Sequence, residues 1–359
     1  MGGGFSEKAV KGGYYFGEGL LEGLDGYICS ALGYERGVII SDSNVMRLWS
    51  EKLRSCFRRL KIIGELALPG GEKNKNLTEI EKIYRFLLEA GADRRVCIIA
   101  CGGGVVGDMA GLAAATFMRG LPLINLPTSL LAMVDSSIGG KNGVDFMGAK
   151  NMIGSFYKPE LIAADVRFLE TLPPEEIRNG LAELTKTVFL KPEVFVRFRE
   201  EALKGERLSK DLARLHPYIR EAALAKLEIT ERDPYDRGER FRLNWGHTFG
   251  HAVESASGYA VSHGQGVAIG IIASFILADK LHILKDPLLF CMKRIFNSLG
   301  LPAALPEAVN IEKVMEYFSC DKKCENGRSV FILPEELGKL IRYSEVSADD
   351  LRWVLQALA

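Results

Sequence analysis

Val96-Cys-Ile-Ile-Ala-Cys-Gly-Gly-Gly-Val-Val-Gly-Asp-Met-Ala-Gly111 is the stretch that decides the fold. A short apolar run reads as a buried strand and breaks into Gly102-x-Gly104-x-x-Gly107, after which small residues, Ala110 to Ala115, continue as a helix. Glycines at a strand-to-helix turn let the backbone approach a pyrophosphate, and the helix N-terminus offers unpaired N–H groups to its charge. The usual fingerprint places a ribose-binding acid about 20 residues further on, yet Leu121 to Ser129 contains none. The acids able to serve lie upstream, Asp42 at the end of the first strand and Glu72 in Pro69-Gly-Gly-Glu-Lys-Asn-Lys75, so the site is a variant dinucleotide site.

Working outward, strand-like runs at 37–41, 62–68, 121–126 and 161–165 alternate with helical patterns at 45–60 and 77–90. Alternation of this kind predicts a parallel sheet covered on both faces, a Rossmann-like α/β domain. After Phe168 helical patterns take over, at 174–189, 208–230, 246–257, 264–281, 288–299 and 348–358, with one strand-like exception at 330–333. The expected organisation is an NAD-binding α/β domain over residues 1–165 and a mainly α-helical metal- and substrate-binding domain over 166–359.

Three of the five histidines fall within seventeen residues. His247 and His251 stand at i and i+4 on one helix face, and His263 follows; imidazoles so spaced suit a divalent transition metal. Glu183, a polar residue inside an apolar helical run, is the best carboxylate to complete the set. The intervening residues hold no general-base glutamate, which disfavours a zinc protease. His216 and His282 read as surface or packing residues. Asp135-Ser-Ser-Ile-Gly-Gly-Lys141-Asn and Gly148-Ala-Lys150-Asn151 read as polar loops flanked by apolar segments, suited to phosphate or polyhydroxyl groups. Arg240-Phe-Arg-Leu-Asn244 brings more donors up to the histidine helix.

Composition excludes other classes. Lys plus Arg equals Asp plus Glu at 46 each, so no net field favours nucleic acid or an anionic membrane. The longest apolar stretch, Val267 to Ala278, is shorter than the ~20 residues a membrane-spanning helix needs, and the N-terminus lacks a secretory pattern. Seven cysteines, at 29, 56, 97, 101, 291, 320 and 324, form no CxxC and read as reduced thiols in a cytoplasm, Cys320 and Cys324 offering at most a regulatory pair.

Together the motifs resemble the 3-dehydroquinate synthase family, one of the sugar phosphate cyclases, related in fold to the metal-dependent glycerol dehydrogenases. The resemblance is carried in family order by Gly102-Gly-Gly-Val-Val-Gly-Asp108, Phe117-Met-Arg-Gly120, Asp135-Ser-Ser-Ile-Gly-Gly-Lys141, Lys150-Asn-Met-Ile-Gly154, Gly180-Leu-Ala-Glu-Leu-Thr-Lys186, Asn244-Trp-Gly-His-Thr-Phe-Gly-His251, His263-Gly and Asp321-Lys-Lys323. It implies a reaction of the shikimate pathway on 3-deoxy-D-arabino-heptulosonate 7-phosphate. Transient oxidation by NAD is followed by phosphate elimination, reduction, ring opening and intramolecular aldol closure. The resemblance further implies that Glu183, His247 and His263 bind one zinc or cobalt ion. Arg119, Lys141 and Asn151 would hold phosphate, with Lys322 or Lys323 joining them and Arg119 reaching the neighbouring subunit of a homodimer. Lys226, Arg240 and Asn244 would receive the carboxylate, and Asp135, Lys186 and His251 would contact hydroxyls and relay protons. NAD would meet Asp42, Glu72, Lys75, Gly103, Gly104, Val105, Val106, Gly107, Asp108, Thr128, Ser129, Lys141, Lys150, Phe168 and Thr171. Departures from the family pattern are Ser129 for threonine, Asn142-Gly-Val-Asp-Phe-Met beside Lys141, Asn74 for an aromatic, and a poorly matching first sixteen residues. Competing expectations are another sugar phosphate cyclase, whose substrate lacks the carboxylate, a glycerol-dehydrogenase-like oxidoreductase, and a non-catalytic binder on the same scaffold.

Overall fold

The computed structural model describes residues 9–11, 13–204, 208–320 and 329–359, which divide into two compact units meeting in sequence at Pro173 and Pro174. Lys322, Lys323 and Cys324 lie outside the described residues. Among the described residues no helix is long and apolar enough to cross a membrane.

The first unit is built on β1 (Ala9–Lys11), β2 (Tyr14–Gly17), α1 (Leu21–Tyr27), β3 (Arg36–Asp42), α2 (Ser43–Cys56), β4 (Lys61–Leu68), α3 (Leu77–Glu89), β5 (Val96–Gly102), α4 (Gly104–Thr116), β6 (Leu123–Pro127), β7 (Lys141–Phe146), β8 (Ala149–Phe156) and β9 (Leu161–Asp165). Seven strands form one sheet in the order β1-β2-β9-β6-β5-β3-β4, parallel except for β1. Every residue of β5 is buried, which is why it reads as an unbroken apolar run rather than an alternating one. From β3 the chain leads to β4 on one side and to β5 on the other. The carboxyl ends of β3 and β5 are therefore the switch point where open α/β sheets bind ligands.

The structure corrects two expectations. A further strand, β2, joins the sheet beside β9 within the stretch that gave no motif. The segments expected as loops around Lys141 and Lys150 instead pair as an antiparallel hairpin, β7 with β8. Glycines that read as loop residues are there for backbone proximity, since a Cβ on Gly154 would stand 2.3 Å from the carbonyl oxygen of Asn142.

The second unit comprises α5 (Pro174–Phe189), α6 (Pro192–Ala202), α7 (Leu212–Arg232), α8 (His247–Ala256), α9 (His263–Lys280), α10 (Leu288–Leu299), α11 (Ile311–Cys320), the hairpin β10 (Phe331–Glu336) with β11 (Lys339–Tyr343), and α12 (Ala348–Leu358). Helix α9 is buried from Gly264 to Ala278 except at Gln265, apolar nearly all round as a central helix must be. Phe189, Phe195 and Trp245 pack ring against ring next to Phe275 of this helix, and the Trp245 indole donates to Ser274 Oγ at 2.6 Å.

Candidate active site

In the first unit the glycine turn sits at the switch point. Gly103 caps α4 without a side-chain hydrogen bond, so the first N–H groups of that helix have no side-chain acceptor there. A Cβ on Gly107 would meet nothing within 4 Å, which leaves open space over the helix start. Thr128 and Ser129 border the turn: Thr128 N donates to the Gly102 carbonyl, and a Cβ on Gly103 would lie 3.4 Å from Ser129 Oγ. A pocket here is lined by Gly102, Gly103, Gly107, Asn125 and Ser136, among others. Asn125 Oδ1 and Ser136 Oγ are buried in it with no hydrogen-bond partner. Orphaned polar atoms beside an open helix N-terminus fit a polar, anionic cofactor such as a dinucleotide. Neither residue was singled out in the sequence, although Asn125 is the one polar side chain in Leu121-Pro-Leu-Ile-Asn-Leu126.

The other expected cofactor residues are placed less uniformly. Asp42 ends β3 next to the turn, and its Oδ1 accepts the N–H groups of Asn44 and Val45 as the cap of α2. Lys75 is only 4% exposed; its Nζ lies 2.5 Å from Asp108 Oδ2 and 2.6 Å from Asn151 Oδ1, with Glu72 at 3.7 Å. Burial pushes Asp108 up to about 6 in spite of that ammonium. The ammonium itself is held above its usual range: burial works against the charge but is outweighed by Asp108 and Glu72. Lys75 thus ties the glycine turn to the hairpin. Asn151 takes a left-handed backbone, φ 50°, and its N–H donates to Asp145 Oδ1 at 2.8 Å. Lys141 and Lys150 sit on the same hairpin. Asp135 lies in the helical turn Ala132–Ser136, and Arg119 follows Met118 in a left-handed pair, φ 67° and 51°. Phe168 is buried against Trp49, ring centroids 4.6 Å apart, and the Thr171 hydroxyl accepts the Trp49 indole N–H at 2.9 Å.

In the second unit helix packing assembles the expected metal set. Glycines let three helices close up: a Cβ on Gly270 would come 1.9 Å from the Gly246 carbonyl oxygen, and one on Gly264 would come 2.4 Å from that of Asn179. The first approach brings α9 against α8, and the second brings the start of α9 against α5. Glu183 of α5, His247 at the start of α8 and His263 at the start of α9 then place one ligand atom each within 4.8 Å of the others. His247 Nε2 stands 3.6 Å and His263 Nε2 3.4 Å from Glu183 Oε1. Nδ1 of His247 lies 3.2 Å from the Trp245 carbonyl, and Nδ1 of His263 lies 3.1 Å from Glu254 Oε1. Both partners can only accept once Glu254 is ionised, so each Nδ1 donates and each Nε2 is the atom left to hold an ion.

Glu183 is fully buried and neither of its oxygens has an aligned hydrogen-bond donor, although Lys186 Nζ makes a close ion pair with it. Burial disfavours its charge, yet Lys186 and His263 outweigh this and hold the carboxyl below its usual range. Burial likewise opposes the His263 imidazolium, but Glu183 and Glu254 prevail and raise it to about 9. Two imidazole nitrogens and one anionic oxygen converging in this way fit a divalent ion with a coordination position left open. His251, expected beside the substrate, has its ring 5.3 Å from that of His247.

The basic set of the second unit is spread over several elements. Lys186 Nζ donates to the Leu243 carbonyl at 2.5 Å, which fastens the segment Glu239–Asn244 to the metal helix. Arg240 is 3% exposed and donates from its guanidinium to the Pro234 carbonyl at 3.0 Å. Asp233, absent from the sequence expectations, accepts the N–H groups of Arg237, Gly238 and Arg240, and these bonds hold its carboxyl below the usual range. Lys226 is buried on α7, whereas Asn244 is exposed between buried Leu243 and Trp245.

A parallel-sheet unit with a glycine turn and a helical unit with a Glu-His-His set define the class of dehydroquinate-synthase-like folds. Consistent with this, the chain is similar to 2-deoxy-scyllo-inosose synthase crystallised with carbaglucose-6-phosphate, NAD+ and Co2+ (TM-score 0.85, 27% identity, 96% of both chains covered). It is also similar to 2-epi-5-epi-valiolone synthase from Streptomyces hygroscopicus with NAD+ and Zn2+ bound (TM-score 0.86, 25% identity, 98% and 97% covered). A probable glycerol dehydrogenase from Sinorhizobium meliloti shares the fold at 18% identity and TM-score 0.65, covering 96% of this chain and 95% of its own. Family models described as 3-dehydroquinate synthase N-terminal and C-terminal match residues 65–179 and 180–324. The 3-dehydroquinate synthase of Symbiobacterium thermophilum is 37% identical over 347 residues, 96% of this chain and 97% of its own. The chain belongs to the 3-dehydroquinate synthase family.

Proposed function

We propose that the chain converts 3-deoxy-D-arabino-heptulosonate 7-phosphate into 3-dehydroquinate and phosphate, as a carbon–oxygen lyase that consumes no net NAD. The observation that carries this reading is the buried Glu183 faced by His247 and His263 on a chain of this family. When bound, the divalent ion, zinc or cobalt, supplies Lewis-acid polarisation of a substrate oxygen, and NAD supplies a reversible hydride acceptor. The remaining work falls to the side chains. Glu183, His247 and His263 would hold the ion, and the glycine turn from Gly103 to Asp108, with Thr128 and Ser129, would seat the pyrophosphate end of NAD. Asp42, Glu72, Lys75, Lys150, Phe168 and Thr171 complete the proposed cofactor set, in which Lys75 acts by holding Asp108 and Asn151 in place.

Lys186, buried between a carboxylate and a carbonyl, is suited to hold a proton at a substrate hydroxyl, and Asp135 and His251 would also contact hydroxyls and relay protons. Arg119, Lys141 and Asn151, joined by Lys322, would bind the phosphate that leaves. Lys226, Arg240 and Asn244 would bind the carboxylate. The joint presence of Lys226, Arg240 and Asn244 favours this keto acid over the substrates of other cyclases, which lack the carboxylate. We place the enzyme in a reducing cytoplasm as a homodimer. Supporting the former, the described thiols at Cys29, Cys56, Cys97, Cys101 and Cys291 are unpaired, and burial pushes Cys97 up to about 12.

The test is phosphate release from the heptulosonate phosphate with and without NAD+ and EDTA, with the product identified by mass. Release that needs both cofactors without accumulation of NADH is expected. No release from folded, metal-loaded protein overturns the reading, and turnover only of sugar phosphates lacking the carboxylate shifts it to a related cyclase.

A further inference from the structure

Glu254 is a buried acid to which the reaction above gives no task. It follows His247 by seven residues and His251 by three, on the same face of α8, and it is 1% exposed. Its Oε1 lies 3.1 Å from His263 Nδ1. The second unit therefore holds two donor groupings that share one residue: Glu183, His247 and His263, and His251, Glu254 and His263. Ions in both would require His263 to lose both ring protons. The separation of 3.1 Å is instead that of a direct hydrogen bond. The second grouping is the support of the first.

We infer that Glu254 is a positioning residue that grips His263 through Nδ1–H and thereby aims Nε2 at the ion held with Glu183 and His247. This rests on the metal reading above. An ionised carboxylate is acceptor-only, so it fixes the ring hydrogen on Nδ1, turns the ring and makes Nε2 a stronger donor toward a cation. The two metal histidines differ in this respect, because the Nδ1 of His247 faces the neutral Trp245 carbonyl, at 3.2 Å, where that of His263 faces a carboxylate. The grip depends on close helix packing. A Cβ on Gly266 would come 3.0 Å from both Cγ and Oε1 of Glu254, so a side chain there would press on the carboxylate that faces His263.

The experiment uses the full chain stripped of metal. Zinc affinity is measured by competition with a chromophoric chelator, and the coordination sphere is read from the visible ligand-field bands of the Co2+ form. Glu254→Ala is expected to weaken zinc binding about 10–100-fold and to shift the cobalt bands. Glu254→Met, which fills the volume without an acceptor, should do the same and stands in if the alanine variant does not fold. Glu254→Gln keeps an acceptor oxygen and should recover most of the loss. A folded Glu254→Ala or Glu254→Met with wild-type zinc affinity and cobalt spectrum overturns the role, as does a Glu254→Gln no better than Glu254→Met. Wild-type protein that binds neither ion overturns the metal reading itself and this inference with it.

Discussion

The glycine turn with its hairpin and the Glu-His-His cluster hold their polar groups in opposite ways. In the cluster the ligands come from three buried helices locked by glycine contacts, and each imidazole has its second nitrogen tied down. In the hairpin Lys141 and Asn151 are exposed, Asn151 has a left-handed backbone, and its side chain is held by buried Lys75. The difference teaches where each half is vulnerable. The cluster gains preorganisation and becomes intolerant of added volume or lost charge, whereas the hairpin tolerates change at its surface but depends on its tether.

Breaking the cluster gives the largest expected effect. Glu183→Ala leaves the Lys186 ammonium buried beside a carbonyl with its carboxylate gone, a loss of about 3–5 kcal/mol of stability. Thermal and denaturant unfolding of metal-free protein, together with metal content, check this; an unchanged melting temperature would contradict it. Next, Gly270→Ala forces a Cβ into the Gly246 carbonyl, so α8 and α9 must part. A cost of about 1–3 kcal/mol is expected, with weaker zinc binding even though no ligand is altered. Retained zinc affinity would show that the two histidines do not depend on this helix contact.

The tether is tested by Lys75→Met, which removes the charged hydrogen bond to Asn151 and the ion pair to Asp108. At about 1.5–3 kcal/mol for such a bond, the specificity constant for the heptulosonate phosphate should fall about 10–100-fold. Steady-state kinetics at saturating NAD+ report it, and equal kinetics would deny the hairpin its dependence on Lys75. The smallest effect is expected at Glu22, outside both regions. Hydrogen bonds from Arg167, against the opposing effect of burial and with help from Lys52, lower its carboxyl to about 2. A depressed carboxylate stabilises the fold above its unfolded value near 4.5 and loses that contribution as pH falls toward 2. Glu22→Gln should therefore flatten the acid-denaturation curve slightly between those limits. The change should stay below about 1 kcal/mol because the side chain is 46% exposed.

Several site features were legible because their chemistry is local. The glycine turn announces itself by following an apolar strand, and His247 and His251 by their helical spacing. The hairpin was not legible, because Gly143 and Gly154 resemble loop glycines until the facing strand is known. Asp233 was missed since an acid that gathers backbone N–H groups looks in sequence like any surface acid. Glu254 carried a readable signal, an acid at i+7 from His247 and i+3 from His251 on one face. Only its placement against His263 gives that signal meaning.

By itself the sequence determined the alternation of strands and helices, the phosphate-type turn and the candidate metal donors, because periodicity and residue chemistry act over a few positions. The tertiary structure alone decided that Lys75 bridges Asp108 and Asn151, that Asn125 and Ser136 face the turn with unpaired atoms, and that Glu254 stands behind His263. Each of these joins residues from separate elements, and their distances are set by how closely backbones pack, which no local pattern encodes.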